Sequence, residues 1–331
     1  MARVVGPVTW FAVAWTALLA VVALSGVDER PLQTAARLVG MPLWFLAVHL
    51  ALTAATPVCD HLHRRLGTGA VALWVAPVVV VDVLARGTGA AWVGWANFAF
   101  VWMVAHQAGW AWRAGALAPR RSAATTAGIG LAALVLLTTR FGYPVAMVGL
   151  AGEASNTSPP TLALVAVGAL QVGLLALARP RLQVLLERPG PWRIVIAANG
   201  IAVTAFLWHL SALCLAVVTV LRLGWFPTPA PGAAAWWALR PVWVVVLVLF
   251  TAPLVALFAR VELRGPVLRP VLTRRGAAGR TGSAVVAFVA GCTLVALEGL
   301  PVVGHGAGSV AGVVALVAAR RLLLAPPRSP R

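Results

Sequence analysis

The chain contains no lysine: all 26 of its basic residues are arginine, set against only eight acidic residues. Charged residues make up 10% of the chain, hydrophobic residues 61%, and the mean hydropathy is +0.92, which excludes an ordinary soluble globular domain. The three cysteines, Cys59, Cys214 and Cys292, are odd in number and lie within or at the ends of apolar runs. A disulfide framework is thereby excluded, and they read as small apolar residues. No polar linker longer than about 25 residues separates two apolar groups, and no period of 20–50 residues recurs, so neither a separate soluble domain nor a solenoid is present. No P-loop, zinc-protease or G-x-S-x-G pattern occurs either.

What the chain does have is a series of long apolar runs. A helix needs roughly 20 such residues to cross about 30 Å of hydrocarbon. Ten runs approach this length: residues 8–27, 41–58, 69–85, 92–112, 123–139, 161–178, 194–221, 237–258, 283–300 and 307–324. The expected fold is all-α: a polytopic integral membrane protein of about ten transmembrane helices, with residues 1–324 as a single membrane domain and 325–331 as a short disordered tail. The first run, with Arg3 before it and small residues around Gly26, mimics a signal peptide. The spans that follow favour an uncleaved first helix.

The arginines set an orientation. Counted from the N-terminus, alternate hydrophilic segments hold 20 of them and the intervening segments hold six. Under the positive-inside rule the rich side is cytoplasmic, which places both termini inside. The net charge of +18 is accordingly an orientation signal and a collar for anionic headgroups, with nucleic acid excluded as a partner. The bilayer is the primary partner and the cell membrane the expected location. Within the collar, Arg269, Arg274, Arg275 and Arg280 could instead receive the phosphates of a soluble donor. The run Cys59 to Arg65 holds metal-ligand residue types, but His61 and His63 are two apart and do not converge on a helix, so no metal site is expected. Arg64 and Arg65 face cytoplasmic water at this helix end, available to headgroups or to donor phosphates.

An ionisable group inside a span costs on the order of 2.5–3.5 kcal/mol on insertion scales and asks for a partner or a role. His49 falls near mid-membrane and His106 towards the cytoplasmic end of its run. Asp82, Asn97, His209 and Glu298 fall towards the outer ends, where they could share one polar chamber. His209 reads either as a neutral imidazole bonded between helices or as a base for a substrate hydroxyl, with Asp82 or Glu298 holding its tautomer. Trp92, Trp110 and Trp112 sit where interfacial belts collect tryptophan.

Four strings carry a further signal: Pro42-Leu43-Trp44-Phe45-Leu46; Trp95-Ala96-Asn97-Phe98, with Val101-Trp102 and His106-Gln107; Ser155-Asn156-Thr157-Ser158-Pro159-Pro160; and Phe206-Leu207-Trp208-His209. In this order they resemble the acyltransferase-3 family, multi-span membrane enzymes that move acyl groups, commonly acetyl, from cytoplasmic acyl-CoA to sugars, cell-surface glycans or similar hydroxylated acceptors. The resemblance spans roughly residues 3–260, leaving about 283–324 as two further helices. It implies acyl-CoA as a donor substrate with no bound cofactor. His209, His106 and Asp82 are the implied catalytic candidates, and Asn97, Trp208, Asn156 and Glu298 the substrate-binding ones. Arg64 and Arg65 are implied to hold donor phosphates.

The family's first helix usually carries an arginine followed some ten residues later by a histidine base, a spacing this chain does not show. Aligned by its strings, it starts at the family's third helix. The expectation is a longer reading frame that supplies the base; otherwise His209 or His106 substitutes, or the chain is an inactive relative. From another class, a transporter or flippase-like carrier is the alternative, although no inverted repeat supports it.

Overall fold

A computed structural model describes residues 2–148, 154–263, 275–302 and 306–324. Among them there is no β-strand, and thirteen α-helices follow one another. They are α1 (Ala2–Leu24), α2 (Glu29–Gly40), α3 (Leu43–Ala54), α4 (Thr56–Leu66), α5 (Gly69–Gly87), α6 (Asn97–Arg113), α7 (Arg120–Arg140), α8 (Leu162–Leu186), α9 (Pro189–Ala216), α10 (Ala234–Ala238), α11 (Arg240–Leu263), α12 (Arg275–Glu298) and α13 (Ala307–Leu324). Eight helices or joined helix pairs among the described residues are long and apolar enough to cross a membrane. The other two expected runs form α6, 17 residues after a 3-10 turn at Ala91–Ala96, and α13, 18 residues. The chain is an all-α polytopic membrane protein.

The expected run 41–58 is not one helix. It divides between α3 and α4, and Pro57 at the start of α4 lacks the N–H that an uninterrupted helix would need. The amphipathic α2 lengthens the span at its other end, so that Glu29–Ala54 is the apolar unit long enough to cross.

Lipid-facing surface is conspicuous: Ile129, Ile194, Leu249, Leu257 and Val286 are each more than 60% exposed, a surface that water would not tolerate and hydrocarbon requires. Polar side chains on these helices turn inward on their own backbone. Thr16, Thr126, Thr139, Thr219 and Thr251 each donate to the carbonyl four residues earlier at 2.7–2.9 Å, leaving no hydroxyl unsatisfied in lipid.

The chain forms two compact units, 1–51 with 193–331 and 52–192. In the first, α1 supplies Val5, Val8, Phe11, Ala12 and Leu19 to a core shared with α2, α3, α9, α12 and α13. Trp15 Nε1 donates to Ser211 Oγ on α9 at 3.0 Å. Helices α12 and α13 approach at glycine, since a Cβ on Gly291 would lie 2.8 Å from Gly312 O. Gly299 ends α12 at φ +88, where its amide meets Val295 O at 2.8 Å; Arg37 on α2 crowds it.

In the second unit, α7 and α8 pack through small residues. A Cβ on Gly173 would meet Ala127 N at 2.5 Å and Ala123 O at 2.8 Å, and one on Gly130 would meet Ala166 O at 2.8 Å. Close backbone approach of this kind is how membrane helices gain packing energy without a hydrophobic driving force. Helix α6 turns one face inward, with Asn97, Val101, Val104, Gln107 and Ala111 buried, and Val101 and Val104 pack on Val78 of α5.

Candidate functional site

His209 lies on α9 in the first unit. Its Nδ1 is hydrogen-bonded to the Phe206 carbonyl, one helical turn earlier. A carbonyl only accepts, so this bond puts a proton on Nδ1, and the neutral ring then keeps its lone pair on Nε2. The imidazole is exposed, and its ring lies 5.6 Å from that of Phe206. Phe206 in turn meets Phe45 of α3 at 5.2 Å, and Phe45 stacks on His49 at 6.4 Å. Two strings far apart in the chain, 42–46 and 206–209, thus converge on one aromatic and histidine cluster.

Trp208, the neighbour of His209, points into the core instead. It is 8% exposed, lies flat on Phe258 at 3.8 Å and takes the Phe11 edge at 5.1 Å. Its position is that of a packing residue behind the histidine.

The second unit holds a separate polar node around Asp82 of α5, 4% exposed. Asn97 Nδ2 donates to Oδ1 at 2.7 Å; Tyr143 OH and the Leu162 backbone N–H donate to Oδ2 at 2.9 and 2.7 Å. Asn97 and Leu162 offer Asp82 donors only, a geometry suited to a carboxylate, and Leu162 opens α8, where a negative charge also meets the helix dipole. Arg86 completes the node. Its guanidinium lies 4.1 Å from the Tyr143 ring centroid and donates to Phe141 O at 2.6 Å. Burial, reinforced by the hydrogen bond to Asp82, pushes the Tyr143 phenol well above its ordinary range.

Asn156, fully buried, organises the loop that reaches this node. Its amide donates to Pro144 O at 2.6 Å and Ala146 O at 3.1 Å, and its Oδ1 accepts from Thr161 Oγ1 at 2.7 Å. Pro159 of the same loop packs on Gly94, where a Cβ would lie 2.9 Å from Pro159 Cγ. Gly94, the residue before the string 95–98, thus meets Pro159 of the string 155–160 near Ala85 of α5.

The remaining candidates are placed as follows. Glu298 is exposed at the end of α12, where Oε2 accepts from the Ser309 N–H at 3.0 Å in the first turn of α13. His106 is half-buried on α6, next to the fully buried Gln107, whose Nε2 donates to Cys59 O at 3.2 Å. Arg64 pairs with Asp60 at 2.7 Å, and both Arg64 and Arg65 are exposed. Arg269 and Arg274 lie outside the described residues, as does the tail 325–331. Arg280 donates to Leu322 O at 3.1 Å, at the end of α13. The structure brings Asp82 and Asn97 into direct contact, and both bond within 52–192. His209 and Glu298 each have their own partners within the first unit.

Tyr143 was not among the expected site residues. It is the only tyrosine in the chain, a signal that a search confined to the spans passes over. Among the described residues no three His, Cys, Asp or Glu side chains gather as a metal site would require. Compared with known protein families, with curated proteins and with solved structures, the chain matches none.

Proposed function

We propose that the chain is an O-acyltransferase of the cell membrane, with both termini cytoplasmic. It moves an acyl group, acetyl in the simplest case, from acyl-CoA to a hydroxyl of a sugar, cell-surface glycan or similar acceptor. The observation that carries this reading is the exposed His209, whose Nδ1 is bonded to Phe206 O. In a neutral imidazole that bond leaves Nε2 as the basic position. The meeting of the strings 42–46 and 206–209 supports it.

In this mechanism Nε2 takes the proton of the acceptor hydroxyl while the oxygen attacks the thioester carbonyl. Collapse of the tetrahedral adduct breaks the carbon–sulfur bond, and the proton on Nε2 passes to the departing CoA thiolate. The products are the ester and free CoA, and His209 is restored. Asp82 and Asn156 act at the outer loop by holding it in place.

The test is the full-length protein in lipid nanodiscs, incubated with acetyl-labelled acetyl-CoA and an extract of envelope glycans. The expected result is label on the acceptor. His209→Ala should lower transfer by roughly 10²-fold or more, the usual contribution of general acid–base catalysis, with the variant still inserted and monodisperse. Acceptor that crosses a vesicle membrane without gaining label would establish a carrier in place of a transferase.

A further inference from the structure

One face of α11 in the first unit forms a shallow groove of about 560 Å³, lined by Val244, Leu247, Val248, Thr251, Ala252, Val255, Ala256 and Ala259, with Ile201 of α9 at its side. The α10–α11 span is the most apolar of the eight and the least packed. Its lining residues recur at helical spacing along one face over 15 positions, about 22 Å. That exceeds the roughly 15 Å depth of one leaflet's hydrocarbon, half of a core about 30 Å thick. The single hydroxyl in the lining, Thr251, donates to Leu247 O at 2.7 Å and has no proton left to donate to an occupant. The groove suits a hydrocarbon chain.

Sequence position puts charge beyond one end of this face and narrows the occupant further. Arg260 directly follows Ala259, and Arg193 precedes Ile201 by eight residues, about 12 Å along α9. Both are exposed, and both belong to segments on the arginine-rich side. A second copy of this chain, carrying its own net charge of +18, would bring arginine against arginine here, whereas an anionic headgroup complements this end. We propose that the α11 groove seats an acyl chain of an anionic phospholipid, whose phosphate lies against Arg193 and Arg260. The site does not depend on acyl transfer.

Full-length protein would be reconstituted in nanodiscs of equal parts phosphatidylglycerol and phosphatidylcholine, extracted into detergent, and its retained lipid counted by native mass spectrometry. Wild type should keep one tightly held phosphatidylglycerol, enriched at least fivefold over phosphatidylcholine. Arg193→Gln with Arg260→Gln, both at exposed positions, should bring that enrichment close to one. Ala252→Phe with Ala256→Phe, which fills the groove, should release the retained lipid of either kind. Equal retention of the two lipids by wild type would overturn the proposal, and so would enrichment that survives in the arginine variant. Disulfide crosslinking between copies bearing Val248→Cys in native membranes would overturn it in favour of a second copy as the occupant.

Discussion

The Asp82 carboxylate on α5 accepts the backbone N–H of Leu162, the first residue of α8, at 2.7 Å across 80 positions of sequence. Glu298 does the same for α13 through Ser309 at 3.0 Å. In each unit, then, a carboxylate on one membrane helix satisfies the N-terminus of another. Such a group meets its own desolvation cost and that of an orphan amide together.

Asp82→Ala leaves three donors, on buried Asn97 and Tyr143 and half-buried Leu162, without their acceptor. A charge-assisted hydrogen bond contributes about 1.5–3 kcal/mol and an unsatisfied buried group costs a similar amount. The expected loss is on the order of 3 kcal/mol, seen as a lower midpoint in thermal unfolding of the detergent-solubilised protein. Proteolysis within residues 141–161 should accelerate as the loop loses its anchor. An unchanged cleavage rate would remove Asp82 from that role.

Tyr143 gives the node a pH dependence. Its folded-state pKa is raised above the ordinary phenol value of about 10, so the unfolded chain ionises first as pH rises. The stabilisation is complete below about pH 10 and is lost progressively above it, up to the folded value. Thermal midpoints between pH 8 and 11 should fall at the alkaline end for wild type, and less steeply for Tyr143→Phe. Parallel curves for the two proteins would count against the Tyr143 contribution.

Gly173→Val places two methyl-bearing branches where even a Cβ would come within 2.5 Å of Ala127 N. The neighbour is backbone and cannot rotate away, so α7 and α8 must separate. A destabilisation of about 1–3 kcal/mol or more is expected, read as a lowered midpoint. Gly168→Val, on the same helix but facing open space, should be nearly neutral and serves as the control.

Glu298→Gln separates capping from substrate binding. A neutral amide oxygen still accepts from Ser309 but forgoes the charge–dipole attraction, worth about 0.3–1 kcal/mol. Stability should fall slightly, and acyl transfer should remain near wild type. A large drop in transfer at unchanged stability would assign Glu298 to the acceptor site instead.

Much of this was legible in the residues themselves. The apolar runs dictated membrane helices because hydrocarbon admits only backbones that satisfy their own hydrogen bonds. The cost of an ionisable group in a span singles out His49, Asp82, His106, His209 and Glu298 as side chains that need a partner. Helix boundaries were less legible near proline. The expected run 41–58 breaks at Ala55, just before Pro57, whereas Pro77, Pro180 and Pro253 lie inside uninterrupted helices.

Partner choice was not legible at all. Hydropathy is a property of single residues and spacing a property of one helix, whereas the acceptor of a proton or the donor to a carboxylate is decided by which helices lie side by side. The sequence showed that Asp82 needed donors, but only packing of α5 with α6, α8 and the segment after α7 chose Asn97, Leu162 and Tyr143. It likewise showed a histidine beside a tryptophan on α9. The fold sent Trp208 into the core between Phe11 and Phe258 and left His209 exposed beside Phe206, because adjacent helical positions point about 100° apart and only the tertiary contacts determine which of them faces protein.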